Sequence, residues 1–298
     1  MLETAKKEKI PVQLDQQKKP SIMMEIWKSF RKNKLALVGS IIVMLLILMA
    51  IFAGVIAPQS INNQNMHLRL QAPSSSHWFG TDDFGRDIFS RVVYGARLSI
   101  RVGFMSVIGS IIIGTFLGVL AGYFGRWIDT IISRLFDILL AFPSILLAIA
   151  IVAILGPSLS NALIAIAIVN IPNFGRLVRA KVLSVKEEEY IMAAKSIGMS
   201  HTRILFYHIL PNSITPIIVQ GTLSIATAIL EAAGLGFLGM GAQAPLPEWG
   251  KMLSDSKEFI QNAPWTMIFP GIFIMLTVLG FNLVGDGLRD ALDPKMKN

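Results

Sequence analysis

The sequence predicts an all-α integral membrane protein, with six transmembrane helices and a short cytoplasmic helix between the fourth and fifth. Three observations carry that prediction. Apolar residues make up 53% of the 298 and charged residues only 15%, against roughly 25% charged in soluble domains; mean hydropathy is +0.59. The apolar residues gather into runs long enough to cross a bilayer core of about 30 Å, which takes roughly 20 residues of helix. The basic residues gather between those runs, with a bias to one side. Cysteine is absent, which excludes a disulfide framework, a thiolate metal site and a cysteine nucleophile.

The runs follow in order. Residues 1–34 form a polar, Lys-rich tail without the pattern of a cleaved leader, so the first span, 35–57, is expected to be a retained anchor closed by Pro58. Residues 58–98 form a segment on the outer side. The core, 99–286, carries the other five spans. Val102 to Tyr123 is charge-free. Ile138 to Gly175 is charge-free over 38 residues and is interrupted at Gly156-Pro157-Ser158, which reads as two spans joined by a tight turn. Asn212 to about Leu238 is the fifth, and Pro264 to Gly285 the sixth. Residues 287–298 form a closing tail.

Orientation follows from Lys and Arg, which favour the cytoplasmic side. With the N-terminus inside, the tails and the second and fourth loops hold 20 basic residues and the remaining loops hold 7. Both termini are therefore expected in the cytoplasm. The five Trp residues (27, 78, 127, 249, 265) fall outside the apolar runs or at their ends, where interfacial anchors belong.

The second span carries Ser106, Ser110, Gly114, Gly118 and Gly122, four apart. Such a flat stripe allows a neighbouring helix to approach closely. It reads either as packing or as the wall of a pathway. In the outer segment, Thr81 is a candidate cap for an amphipathic surface helix over 80–99, with Asp82 and Asp83 in its first turn and Asp87 and Arg91 spaced to pair. Its Arg residues suit either a partner or lipid headgroups.

The loop 176–211 is the most informative stretch. Ser184 and Glu187 have capping-box spacing. Tyr190, Ala193, Ala194 and Ile197 then form one apolar face with small residues at its centre. Gly198 is placed to stop the helix, and Ser200 to cap a second short helix ended by Pro211. A small-residue face of this kind suits insertion into another protein's groove, or packing on its own bundle.

These residues resemble the "EAA" loop of ABC importer permeases, whose pattern is E-A-A-x3-G-x9-I-x-L-P. Here Ala193-Ala194, Gly198 and Leu210-Pro211 match, while Met192 stands for the Glu and His208 for the Ile. Both departures are similar to the dipeptide/oligopeptide branch. So are Phe79-Gly-Thr-Asp-Asp-Phe-Gly-Arg-Asp87, Ala141-Phe-Pro143, and Gly234-Leu-Gly-Phe-Leu-Gly239 continuing through Pro245 to Trp249-Gly250.

The resemblance implies a permease subunit in the bacterial cytoplasmic membrane. It would form half of a translocation pathway with a second, related permease, take cargo from an extracytoplasmic substrate-binding protein, and couple to two ATP-binding subunits. Mapped onto this chain, the residues that would dock the ATPase are Tyr190, Ala193, Ala194, Gly198, Met199, Ser200 and Arg203.

No G-x-x-x-x-G-K-[ST] occurs, so no cofactor is expected in this chain; ATP and Mg belong to partners, and nucleic acid is not among them. The four His residues have no compact metal spacing, and the spans contain no His to serve a hydrolase. Polar residues within spans are candidates for the pathway: Asn170, Pro172, Asn173, Glu231 and Asn282. Glu231 lies about 25 Å along the fifth helix at 1.5 Å per residue, which places it near the outer interface. Competing classes are a permease for another cargo such as nickel, and a secondary transporter working alone, although no internal repeat of the kind common there is visible.

Overall fold

The computed structural model describes residues 22–292, and among them every regular element is a helix. Most of the expected N-terminal tail and the last six residues lie outside the described residues. The end of that tail forms α1 (Ile22–Lys32), whose Phe30 is buried against Ala36 and Ala291. α2 (Lys34–Ile51) begins where Asn33 Oδ1 accepts from the N–H groups of Leu35 and Ala36 at 3.1 and 3.2 Å; such a cap satisfies donors that a helix start leaves open. A single turn, α3 (Ala53–Ile56), ends the run before Pro58.

The surface helix expected over 80–99 does not exist as a separate element. Residues 80–87 fold into a tight turn, and α4 (Ile88–Phe124) then runs 37 residues without interruption. Asp82 organises the turn: its carboxylate accepts from the N–H groups of Phe84 and Arg86, each at 2.9 Å, and from Arg86 Nε at 2.6 Å. Asp87 caps α4 through the Ser90 N–H at 2.8 Å and faces His77 Nδ1 at 3.0 Å. Because Asp87 is engaged there, the expected Asp87–Arg91 pair is not made. Arg91 turns to Asp82 instead, at 3.4 Å. Arg86 and Arg91 are both buried, so neither meets headgroups or a partner.

α5 (Arg126–Leu140) and α6 (Ser144–Leu155) meet at a bend of 93°. The charge-free run that predicts one third span from residue 138 conceals this bend. Pro143 lacks an N–H and disfavours helix at the residue before it, so the chain breaks at Ala141–Pro143. At 12 residues α6 is only about 18 Å long, too short to cross alone. Gly156, at φ +91°, and the Ser158 cap then make the expected tight turn into α7 (Leu159–Val185).

α4 and α7 form the centre of the bundle. The small-residue stripe of α4 faces α7: Ser110 Oγ donates to the Ala167 carbonyl at 2.9 Å. A Cβ on Gly114 would lie 2.8 Å from the Ile171 carbonyl oxygen, and one on Gly118 would lie 2.5 Å from that of Gly175. The stripe is therefore a packing surface that brings two backbones together.

Beyond α7 come α8 (Glu189–Ser196) and α9 (His201–Ile204), a π-helical turn over Leu205–Ile209, and α10 (Leu210–Phe237). The Ser184 capping box does not form. Val178, Val182 and Val185 are buried in one apolar cluster and carry α7 past Ser184, so Glu188 occupies the cap position without a side-chain bond. Nor does Pro211 end a helix. Residues 201–237 are continuous, because the widened π turn, in which the Leu210 N–H bonds the Leu205 carbonyl, accommodates a ring that an ordinary turn would exclude. Ser200 precedes α9 but makes no side-chain cap bond.

α11 (Trp249–Ser256) and α12 (Trp265–Leu292) complete the described chain. Five helical segments are long and apolar enough to cross a membrane (α2, α4, α7, α9–α10 and α12), and the bent pair makes a sixth. Trp249 departs from the expected interfacial role. It is fully buried, with Nε1 donating to the Val92 carbonyl at 2.9 Å.

Candidate functional site

The loop 176–211 folds onto one end of the bundle. Lys186 Nζ reaches the Gly122 carbonyl at 3.3 Å, and the Tyr123 hydroxyl meets His201 Nδ1 at 2.7 Å, so the loop lies where α4 ends. Its helix α8 has two faces. Ile191 and Ala194 are buried, at 0% and 6% exposure, while Ala193 and Met192 are exposed and Ile197 is 80% exposed. The Met199 N–H donates to the Ala194 carbonyl at 3.1 Å and the Gly198 N–H to the Lys195 carbonyl at 3.0 Å. Gly198 sits at φ +79°. This is the Schellman arrangement, which closes a helix on a left-handed residue.

The seven expected docking residues therefore divide. Tyr190, Ala193, Gly198, Ser200 and Arg203 are exposed. Tyr190 is also tied back to α10, its hydroxyl accepting from Asn212 Nδ2 at 3.2 Å. Ala194 does not belong to the outward face: it is buried on the same side of α8 as Ile191, three residues before it, which packs into the apolar cluster beneath. Met199 is also turned inward, packed against the cluster of Val182, Val185 and Ile204.

The polar residues of the spans divide as well. Asn170, Asn173 and Glu231 line one cavity of about 260 Å³ with Ser144, Gln220, Ser224 and Thr227. Asn170 Nδ2 donates to Glu231 Oε2 at 3.2 Å and to its own helix at Ile166 O at 3.0 Å. Ser144, at the start of α6, lines the cavity beside them. Glu231 thus sits beside a residue eleven positions into α7, about 16 Å along that helix from its start. Pro172 is buried within α7 and does not line this cavity. Asn282 lines a separate, apolar cavity of about 760 Å³ between α10, α11 and α12.

Sequence reasoning missed Gln220, Ser224 and Thr227. Their signal was present: with Glu231 they recur at intervals of three and four along an otherwise apolar helix, which puts them on one face. It also missed Glu248. That side chain is buried at 2% and caps α11, accepting from Gly250 and Lys251 at 2.9 and 2.8 Å. Burial pushes its carboxyl above the usual glutamate range, against the pull of those two N–H groups. Asp83, in the turn before α4, is likewise raised by burial and by its neighbour Asp82.

A family profile described as "Binding-protein-dependent transport system inner membrane component" matches residues 114–298, and one described as "N-terminal TM domain of oligopeptide transport permease C" matches residues 21–73. The chain belongs to the family of inner-membrane components of binding-protein-dependent transport systems. It is a membrane-embedded transport subunit of ABC permease type. Among its relatives, the dipeptide transport system permease protein DppC of Alkalihalophilus pseudofirmus is 69% identical over 95% of this chain and 93% of that protein. The glutathione transport system permease protein GsiD of Pectobacterium atrosepticum is 49% identical over 92% and 91%. The di/tripeptide permease DppC of Pseudomonas aeruginosa is 48% identical over 94% of each. The fold is similar to that of an inward-facing chain of the methionine ABC transporter MetNI (TM-score 0.55, 19% identity, 69% of this chain and 98% of that one). It is also similar to an amino acid ABC transporter chain (TM-score 0.52, 16% identity, 66% and 92%).

Proposed function

We propose that this chain is the transmembrane permease subunit of an ATP-driven importer of dipeptides or short oligopeptides. The 69% identity to a dipeptide permease over nearly the whole length carries this reading. A second, related permease completes the pathway, two ATP-binding subunits attach at the end that carries α8, and a substrate-binding protein delivers cargo at the opposite end. Both termini and the loop 176–211 face the cytoplasm, in line with the 20 to 7 division of basic residues. ATP and Mg are held by the partner ATPases. The exposed face of α8, centred on Ala193 and Ile197 with Tyr190, Gly198, Ser200 and Arg203 around it, is the docking surface. Ala194 and Met199 support it from beneath. The cavity of Asn170, Asn173 and Glu231 is this subunit's share of the pathway.

Reconstitution tests this reading. The complex of both permeases and both ATPases in liposomes, given binding protein and internal or external ATP as orientation requires, accumulates labelled dipeptide. Omitting this chain abolishes uptake. Uptake that persists without it, or accumulation by this chain alone, would overturn the assignment.

A further inference from the structure

Glu231 is a half-buried carboxylate within an apolar helix, without a cation in this chain. Among the described residues, no Lys, Arg or His nitrogen lies within 4.0 Å of it. Ionisable groups within spans are costly and are ordinarily paired. Asp129, Asp137 and Asp82, by contrast, each have an Arg at 2.5–2.6 Å. Glu231 is nevertheless held by Asn170 Nδ2 at 3.2 Å from α7, and Ser144, at the start of α6, lines the same cavity. One neutral donor orients the carboxylate, leaves acceptor positions free, and supplies no positive charge.

The free positions open on the cavity of about 260 Å³ that Asn173, Gln220, Ser224 and Thr227 also line. These neutral amides and hydroxyls suit the hydrogen-bonding groups of a peptide backbone. Phe142 and Leu139, on the same wall, suit a short side chain. The bend between α5 and α6 brings Phe142 and Ser144 to the wall of the same cavity.

We infer that Glu231 is a transient recognition site for the α-ammonium group of a peptide crossing the membrane, with Asn170 holding the carboxylate for it. This rests on the peptide-import reading above and adds the chemical group recognised. The carboxylate supplies the charge-assisted partner that a desolvated ammonium needs. The absence of a fixed cation keeps the site vacant between passages.

The test uses the assembled complex of permeases and ATPases without binding protein, so that selection by that protein does not enter. Binding of labelled alanyl-alanine is measured at millimolar peptide, with N-acetyl-alanyl-alanine as competitor. The expected result is saturable binding for which the acetylated peptide competes at least tenfold more weakly. Glu231→Gln should weaken binding at least tenfold at normal membrane abundance. Adding Thr227→Asp to Glu231→Gln, which returns a carboxylate to the same wall one turn away, should recover part of it. Equal competition by the acetylated peptide, or no saturable binding at all, overturns the inference and needs no variant. Should Glu231 instead pair with a cation of the second permease, Glu231→Gln would weaken assembly and acetylation would not matter; that outcome also overturns it. Failure of the broader reading looks different: the complete system with its binding protein would take up no dipeptide, whereas failure of this inference alone leaves uptake intact.

Discussion

The Met199 N–H bonds the Ala194 carbonyl at 3.1 Å across the end of α8. That bond, with its companion from Gly198 to Lys195, fixes which side of the helix the bundle takes and which it leaves outward. Ala193 and Ala194 are neighbours in sequence, yet one is exposed and the other is 6% exposed. Their substitutions should therefore fail in different ways.

Ala194→Asp places a carboxylate in an apolar pocket without a partner, at a cost on the order of 1–3 kcal/mol. Membrane abundance and thermal stability of the loop should fall. Ala193→Asp should leave both unchanged and weaken ATPase copurification by about tenfold, the equivalent of roughly 1.4 kcal/mol. Immunoblots of membranes beside pull-downs of the ATPase read the two effects separately.

Gly198 adopts φ +79° with open space around the position a Cβ would take, so its substitutions report conformation rather than clash. Gly198→Val should cost about 1–2 kcal/mol, the penalty of a left-handed L-residue, and more than Gly198→Asn, which tolerates that region. Limited proteolysis of the loop 186–200, faster in the Val variant than in the Asn variant, checks this.

Gly118 lies where α4 and α7 touch backbone to backbone, a Cβ there meeting the Gly175 carbonyl oxygen at 2.5 Å. Gly118→Leu should force the pair apart, at about 1–3 kcal/mol or more, and should lower the melting temperature of the purified complex. A substitution on the exposed side of the same helix, Ile112→Leu, should leave it unchanged.

Glu248 has a raised folded pKa. The folded chain holds a proton that the unfolded chain has already released, so stability falls as pH rises from the ordinary glutamate value through the raised one. Protection factors in residues 248–256, taken relative to the intrinsic exchange rate at each pH, should accordingly be larger at pH 5 than at pH 8. Glu248→Gln should flatten that dependence.

The spans were legible because hydrocarbon imposes a length and an apolar composition on every crossing helix. The loop was legible because Gly198 and the small residues around it have few alternative uses. What escaped was decided by tertiary contacts. The bend at Ala141–Pro143 lies inside an unbroken apolar run that hydropathy reads as straight. Arg86 and Arg91 look like surface charges until Asp82 folds beneath them. Which face of α8 turns inward depends on the cluster of Val182, Val185 and Ile204 that takes Ile191, residues drawn from two other helices. In the cavity, Asn170 and Glu231 stood out as polar residues within spans, but that they meet across 3.2 Å follows from the packing of α7 against α10.

The coupling role proposed for the outward face of α8 is tested most directly by cross-linking. The chain has no cysteine, so a single one at residue 193 reports a single position. In membranes holding the assembled complex, a short bifunctional reagent should join Ala193→Cys to an ATPase subunit. An impermeant thiol reagent outside intact cells should fail to label it. Labelling of residue 193 from outside, with no cross-link to the ATPase, would contradict the account, because α8 would then face away from the subunits that drive transport.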